Sequence, residues 1–429
     1  MSKTIFSSNG SNVTTQATRP SGASTRSVHG NHHRRAAHPF HSLTTPIIQT
    51  ATYTFEDTAD LCNYMESKMW GGNGDRGEYG RYGNPTTRQV EKHIAALEGG
   101  DDAILFPTGM TAVTNVILSI LPTGSHIVMT DDCYRKTRQF CNSFLARLGI
   151  ETTQVAMGDY AALEAAVQPN TRLIISESPT NPYLRVADLE RLAAVAKQHK
   201  RVKTIIDSTF ATPVNQRPLA YGINLVIHSG TKYLSGHNDV MAGVVVGDAG
   251  LLHALRQSQG MLGGVADPHA AWLVERGLKT LALRVKQQNH SAQTVADFLE
   301  NHPRVERVWY PGLASHPDHQ IAREQMDGYG GVVSFEIAPI PGEEPADTTA
   351  RFIDAMTIPY IAPSLGGVES LIEQPAYMSY YELSTAERLS IGIKDNLVRF
   401  AIGIEDTADI VADLEQALEK ILEIGRLGN

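Results

Sequence analysis

The sequence predicts a mostly parallel α/β sheet followed by a smaller α+β domain. Three observations predict it. Short apolar runs alternate with amphipathic stretches of helical period through roughly the first two thirds of the chain. That rhythm changes after about Lys286. With 429 residues and a 42% apolar fraction, the chain is too long for one small core and has ample material to bury.

Residues 1–24 are rich in Ser, Thr, Gly and Asn and read as disordered. Arg26 to His41 is basic and carries His29, His32, His33, His38 and His41. No thiol or carboxylate lies near them and their spacing is irregular, so a solvated arm is expected rather than a metal site. Trp70 to Gly77 reads as a glycine-rich loop leading to Glu78-Tyr-Gly-Arg-Tyr-Gly-Asn-Pro85. A helix should start at Thr86, with Val90, Ile94 and Leu97 on one face.

Ala103–Phe106 reads as a strand. Thr111–Leu121 reads as a helix whose buried stripe holds Ala112, Val113, Val116, Ile117, Ile120 and Leu121. Strands are expected at His126–Thr130, Arg172–Ser176, Thr204–Asp207 and Leu225–His228, with a helix at Asp188–His199. Continuous apolar strands separated by amphipathic helices make a parallel sheet covered on both faces. Beyond Lys286 the pattern gives a helix at Ser291–Asn301, strands at Arg307–Tyr310 and Gly331–Glu336, and helices at Thr348–Ala355 and Ala408–Leu422. The expected organisation is an N-terminal tail and arm (1–80), an α/β domain (81–289) and an α+β domain (290–429).

Net charge is −9, but residues 1–55 hold five Lys/Arg and no Asp or Glu, so the remainder carries −14. The body offers no basic face for nucleic acid, and a small-molecule substrate is expected. Cys62, Cys133 and Cys141 show no metal-ligand spacing and are too few for a disulfide framework. No run approaches the length of a membrane span. Met1–Thr25 lacks the apolar core of a secretory signal. Its Ser/Thr/Arg-rich, acid-free character is that of a transit peptide, yet no amphipathic helical pattern is visible. A disordered tail and a cytoplasmic setting are the expectation.

Chemistry concentrates at strand ends. Leu225-Val-Ile-His-Ser-Gly-Thr-Lys232 is a buried strand running into small hydroxyl residues and a lysine. A lysine at the carboxyl edge of a parallel sheet sits where α/β folds bind ligands. Its amine can join an aldehyde cofactor, and Ser229 and Thr231 could hold a phosphate from the same turn. Asp207 closes the preceding strand; a carboxylate there would keep a pyridine nitrogen protonated. Phe106-Pro-Thr-Gly-Met110 joins a strand to a helix whose first N–H groups suit a dianion, with Gly109 allowing close approach. Tyr134 could stack on a pyridine ring. Together these point to pyridoxal 5′-phosphate (PLP). Arg399 lies inside the apolar run Leu397-Val-Arg-Phe-Ala-Ile402 and needs an anionic partner. A substrate carboxylate held by a fork of two bonds and a structural ion pair both meet that need.

The chain resembles the Cys/Met-metabolism family of PLP enzymes, and within it the plant-type cystathionine γ-synthases. The resemblance runs from about His41 to the last helix. It rests on Glu78-Tyr-Gly-Arg-Tyr-Gly-Asn-Pro-Thr86, Asp132-Cys-Tyr-Arg-Lys-Thr-Arg138, Glu177-Ser-Pro-Thr-Asn-Pro182 and Asp207-Ser-Thr-Phe-Ala-Thr-Pro213. It continues through His228-Ser-Gly-Thr-Lys-Tyr-Leu-Ser-Gly-His-Asn-Asp239 and Ile358-Pro-Tyr-Ile-Ala-Pro-Ser-Leu-Gly-Gly-Val-Glu-Ser370.

The resemblance implies the fold type I, aspartate aminotransferase-like architecture, with PLP bound in the 81–289 domain. It implies that Lys232 is the Schiff-base lysine and proton shuttle, that Asp207 pairs with the ring nitrogen and that Tyr134 stacks on the ring. It places Gly109, Met110, Ser229 and Thr231 on the phosphate and Thr209 among the cofactor contacts. Tyr79 and Arg81 would reach the phosphate of a neighbouring subunit, making a homo-oligomer, a dimer of dimers. Asn181, Ser364 and Arg399 would hold the substrate. No metal is implied. Many γ-lyases and enteric-type synthases of the family carry Glu immediately before Ser-Leu-Gly-Gly; here the residue is Pro363, as in plant-type synthases.

The activity so implied is γ-replacement on an O-activated homoserine with cysteine, giving cystathionine. The alternative is γ-elimination from cystathionine, methionine or an analogue such as canavanine. Arg81, Arg135, Lys136 and Arg138 offer charge for an anionic γ-group, or else form a solvated basic turn. A non-catalytic protein on this fold would be expected to lose at least one of the lysine, aspartate, tyrosine and arginine; all are present.

Overall fold

The computed structural model describes residues 22–30, 41–70 and 76–427. Most of the expected tail, His32, His33, His38 and the centre of the glycine-rich loop lie outside them.

Seven strands form the larger sheet: β1 (Asp102–Phe106), β2 (His126–Thr130), β3 (Glu151–Val155), β4 (Thr171–Glu177), β5 (Lys203–Asp207), β6 (Leu225–Ser229) and β7 (Gly243–Gly247). Their order is β1-β7-β6-β5-β4-β2-β3. β3, β2, β4, β5 and β6 are mutually parallel, and β7 runs antiparallel between β6 and β1. Apolar clusters cover the two faces. One side packs Ile104, Val116, Ile127 and Ile227; the other packs Val128, Ile174, Leu192 and Ile206. Adjacent side chains on these strands point to opposite faces, so strands buried on both faces must be apolar throughout.

The helix Gly109–Ile120 starts with Thr108 accepting from the Thr111 N–H. The helix Pro85–Glu98 starts with Asn84 capping the Thr86 and Thr87 N–H groups and stops at left-handed Gly99. These and other helices flank the sheet and leave its carboxyl edge free. Glu177, Asp207 and the β6 turn therefore end side by side.

The smaller sheet has β8 (Val305–Trp309), β9 (Val332–Ile337), β10 (Tyr360–Ile361), β11 (Leu371–Glu373) and β12 (Leu397–Ala401), ordered β10-β11-β12-β9-β8. Only β10 and β11 are parallel. One apolar cluster, including Tyr233, Leu281, Val295, Phe335 and Phe400, joins this sheet to the larger one.

Three differences from the sequence reading have physical causes. The basic arm is not wholly solvated: Ala23–His29 is a helix packed on Pro85–Glu98 and Leu281–Glu300, with Ser27 buried. The helix expected at Ser291–Asn301 begins at Leu281 and so runs through position 289/290. Its first turns bury Arg284 and Gln288, which interrupt the apolar stripe. Strands β3 and β7 were not foreseen. β3 is a half-exposed edge with only one buried residue. β7 is framed by glycines because space requires them: a Cβ at Gly243 would stand 2.1 Å from the Thr108 carbonyl oxygen.

Candidate active site

The strand–helix turn after β1 faces the β6 turn. A Cβ on Gly109 would come within 3.1 Å of Ser229, so glycine lets the two turns close into a cradle. N–H groups in the first turn of Gly109–Ile120, those of Gly109 and Met110 among them, have no intrahelical acceptor and lie at the positive end of the helix. Thr209 braces the cradle. Its hydroxyl donates to Asp207 Oδ1 at 2.6 Å and accepts from the Ser229 N–H at 2.8 Å. Thr231 is engaged elsewhere: its hydroxyl bonds the Ala242 carbonyl and accepts from the Ala242 N–H, tying the lysine turn to the start of β7.

Asp207 stands half-buried at the end of β5. Burial pushes its carboxyl up, while the two Thr209 bonds and His228 oppose that. Glu177, its register partner on β4, is buried and is pushed well up, by burial first and then by Asp207 and Asp132. Glu177 Oε2 accepts from the Tyr134 N–H at 2.6 Å. Tyr134, 43% exposed, forms part of the wall of a small cleft with Asp207, Glu177, Cys133 and Val113. Burial raises the Tyr134 phenol, and the charge of Glu177 adds to it.

Lys232 follows β6. Burial lowers its ammonium to about 8, helped by Arg399 and opposed by Glu373. Its Nζ donates to Ser364 Oγ at 2.6 Å. Ser364 has φ +97°, a conformation costly for a side-chain-bearing residue. It is held there from both sides, since Arg399 Nη2 donates to its carbonyl at 3.0 Å. The following Gly366 sits against Tyr233, where a Cβ would meet the backbone nitrogen at 2.7 Å. Arg399 Nη1 donates to Asn181 Oδ1 at 3.1 Å. Lys232, Ser364, Arg399 and Asn181 thus form one connected group. Pro363 is exposed beside it.

Tyr79 and Arg81 stand apart from this group. Tyr79 is exposed and bridges Thr52, and Arg81 donates to the Gly260 carbonyl and lies 4.8 Å from the Tyr82 ring. The basic turn is largely spoken for. Arg135 bonds the Ser379 carbonyl and Glu382, Lys136 bonds Gln139, and Arg138 bonds the Asp131 carbonyl.

Two carboxyls had no role assigned from sequence. Glu177 lies within a quoted motif, and its position as the last residue of an apolar strand was an available signal. Glu373 Oε1 forms an ion pair with Arg399 Nη2 at 2.9 Å. Both alternatives for Arg399 therefore stay in play, because a structural ion pair exists and the guanidinium still faces Asn181 and Ser364.

The set fits PLP on its own chemistry. A dianion suits the helix start with Ser229, a pyridinium N–H suits half-buried Asp207, an aldehyde suits Lys232, and an aromatic ring suits the cleft beside Tyr134. Among the described residues no His/Cys/Asp/Glu group is arranged to hold a metal, and no helix is long and apolar enough to cross a membrane.

The sequence profile of the Cys/Met metabolism PLP-dependent enzyme family matches residues 24–419. The chain is 50% identical to cystathionine gamma-synthase 1, chloroplastic, of Arabidopsis thaliana over 382 residues, covering 89% of this chain and 66% of that protein. It is 40% identical to cystathionine gamma-lyase of Bacillus subtilis, covering 89% of this chain and 95% of that protein. It is also 40% identical to L-methionine gamma-lyase of Fusobacterium nucleatum, covering 89% and 94%. The crystal structure of metB from Corynebacterium glutamicum superposes with a TM-score of 0.84 at 36% identity, covering 94% of this chain and 98% of that one.

Proposed function

Because this chain belongs to the Cys/Met metabolism PLP-dependent enzyme family, we propose that it carries out γ-replacement. The γ-substituent of an O-activated homoserine leaves and the sulfur of cysteine takes its place, giving cystathionine. The observation that carries this reading is the 50% identity to a cystathionine gamma-synthase, against 40% for the two lyases. Pro363 agrees with it, since the resemblance gives plant-type synthases the same residue.

PLP is the cofactor, and when bound it supplies a sink for the electron pair left as the substrate α-carbon loses its proton. The start of Gly109–Ile120 and Ser229 would hold its phosphate, Asp207 its ring nitrogen, Tyr134 its ring face and Lys232 its aldehyde carbon. The remaining work falls to this chain's side chains. An ammonium lowered to about 8 leaves part of Lys232 neutral near pH 7, able to accept a proton at Nζ. Ser364 Oγ aims that nitrogen. Arg399, steadied by Asn181 and the Ser364 carbonyl, grips the substrate carboxylate.

The test is product analysis with a panel of γ-substituted homoserines, with and without cysteine. Cystathionine should dominate whenever cysteine is present. Equal release of 2-oxo acid and ammonia with or without cysteine, from cystathionine, methionine or canavanine, would instead establish the γ-elimination alternative.

The reading extends to assembly and setting. Tyr79 and Arg81 would complete the site of a partner subunit in a dimer of dimers, a reading supported by the exposure of Tyr79 and by the contacts of both residues with Thr52, Tyr82 and Gly260. Mixing inactive Lys232→Ala and Arg81→Ala proteins should restore activity through hybrid sites; a fully active monomer contradicts it. Three unpaired cysteines support a cytoplasmic setting.

A further inference from the structure

We propose that Glu373 is the resident anion of Arg399: a positioning residue that holds the guanidinium and sets how tightly the site takes a carboxylate. The inference rests on the reading of Arg399 as the carboxylate clamp.

Strand β11 runs antiparallel to β12 and places Glu373 directly opposite Arg399. Directly opposed side chains on an antiparallel pair are close enough to interact. Both residues are buried, at 2% and 5% exposure. Glu373 Oε1 lies 2.9 Å from Arg399 Nη2. Neither Glu373 Oε2 nor Arg399 Nε has a hydrogen-bond partner among the described residues, though both atoms are buried. A carboxylate serving only as structural cement would close into the two-bond fork that arginine favours. This one engages with a single oxygen.

The charges around the pair explain the arrangement. A guanidinium buried without a counter-ion is costly, so Arg399 needs an anion when no substrate is present. Glu373 supplies it, and Asn181 Oδ1 and the Ser364 carbonyl fix the guanidinium plane. Asn181 and the Ser364 carbonyl take two of the five guanidinium N–H bonds and Glu373 pairs with the guanidinium by charge, while Nε–H has no partner among the described residues and is open to a ligand. An arriving carboxylate therefore meets a neutral pair, and its negative charge comes to rest near a second one. Burial pushes the Glu373 carboxyl up, and the charges of Arg399 and then Lys232 oppose that, drawing it back toward the charged form. Glu373 thus has two effects of opposite sign. It orients Arg399, which favours carboxylate binding, and it repels the carboxylate, which disfavours it.

The opposing signs give a test that a structural role cannot mimic. Propionate, which carries a carboxylate and no amine, is titrated into the holoenzyme by calorimetry. Glu373→Gln keeps an oxygen acceptor for Arg399 and removes the repulsion. It should bind propionate tighter by roughly threefold to tenfold, with a lower KM for amino-acid substrates and no rise in kcat. Glu373→Asn, neutral and still offering an amide oxygen to Arg399, serves the same comparison if Glu373→Gln does not fold. Unchanged or weaker propionate binding in a folded neutral variant overturns the proposal. If Arg399→Lys leaves propionate binding intact in the wild-type background, the clamp reading itself fails instead.

Discussion

Two groups of arginines and carboxylates are built differently. In the first, Arg88 and Arg256 meet Glu91 and Asp102 beside the start of β1. Arg256 bonds both carboxylates and the Ala103 carbonyl. Glu91 also accepts the Leu105 N–H, and Asp102 accepts the Ala103 N–H. No side-chain atom of this group is left buried without a partner. In the second, Arg399 and Glu373 each keep an unpaired buried atom, and the arginine leans on a strained Ser364. Saturation marks scaffold, because every bond is already spent on the fold. Unsaturation at a strained turn next to a lysine whose ammonium is lowered by burial fits a place kept ready for a ligand.

The largest effect that sharpens this contrast belongs to Arg399. Arg399→Lys should fold and keep PLP, since lysine retains the charge but not the fork. It should lose on the order of 2–3 kcal/mol of substrate interaction, roughly a thirtyfold to hundredfold drop or more in kcat/KM. The drop should be shared by every amino-acid substrate, because all present the same carboxylate. Loss confined to one substrate would mean that Arg399 reads the distal group.

Arg256→Ala should do the reverse. It strips a partner from Glu91 and Asp102, whose side chains are 4% and 14% exposed. Stability should fall by about 1–3 kcal/mol, between the exposed and buried limits for ion pairs, while kcat/KM below the melting transition holds near wild type. Denaturant titration and steady-state kinetics on the same preparation separate the two. A catalytic loss without a stability loss would break the contrast.

The smallest effect is a pH dependence in another saturated pair. His93 Nδ1 meets the Glu275 carboxylate at 3.1 Å and Nε2 meets the Arg26 carbonyl at 2.9 Å. Both partners accept, so both ring nitrogens must donate and the ring is an imidazolium. Burial lowers its pKa, but Glu275 and the Arg26 carbonyl outweigh that and the net shift is upward. A folded value above the unfolded one means the stabilisation is complete below about pH 6.5 and fades as pH rises through the folded value. The melting-temperature gap between wild type and His93→Gln should therefore narrow from about pH 6 to about pH 9. A gap that widens would contradict the assignment.

What was legible in the sequence follows the same division. Asp207 and Lys232 are legible as a pair: each alone is a common residue at a strand end or in the turn after it, but together, 25 positions apart after successive apolar strands, they point to one site. The parallel core was legible because its strands are apolar on both faces. Glu373 was not, since Leu371-Ile-Glu373 is too short to read as a strand and its meaning comes from a partner 26 positions away on β12. The arm helix was missed because its stability lies in tertiary contacts with His93 and Leu281–Glu300, not in its Ser- and Arg-rich sequence. The larger helix was truncated in the reading because Arg284 is buried by bonding the Tyr233 and Gly277 carbonyls, a pattern that periodicity counts as exposed.

The central claim is that Lys232 carries the cofactor at the edge where β5 and β6 end. Borohydride reduction of the purified protein, followed by peptide mass mapping, tests it directly. A single pyridoxyl group on the peptide containing Lys232, with loss of the visible absorption band, is the predicted result. A pyridoxyl group fixed on another lysine, or none fixed while the enzyme turns over, would contradict it.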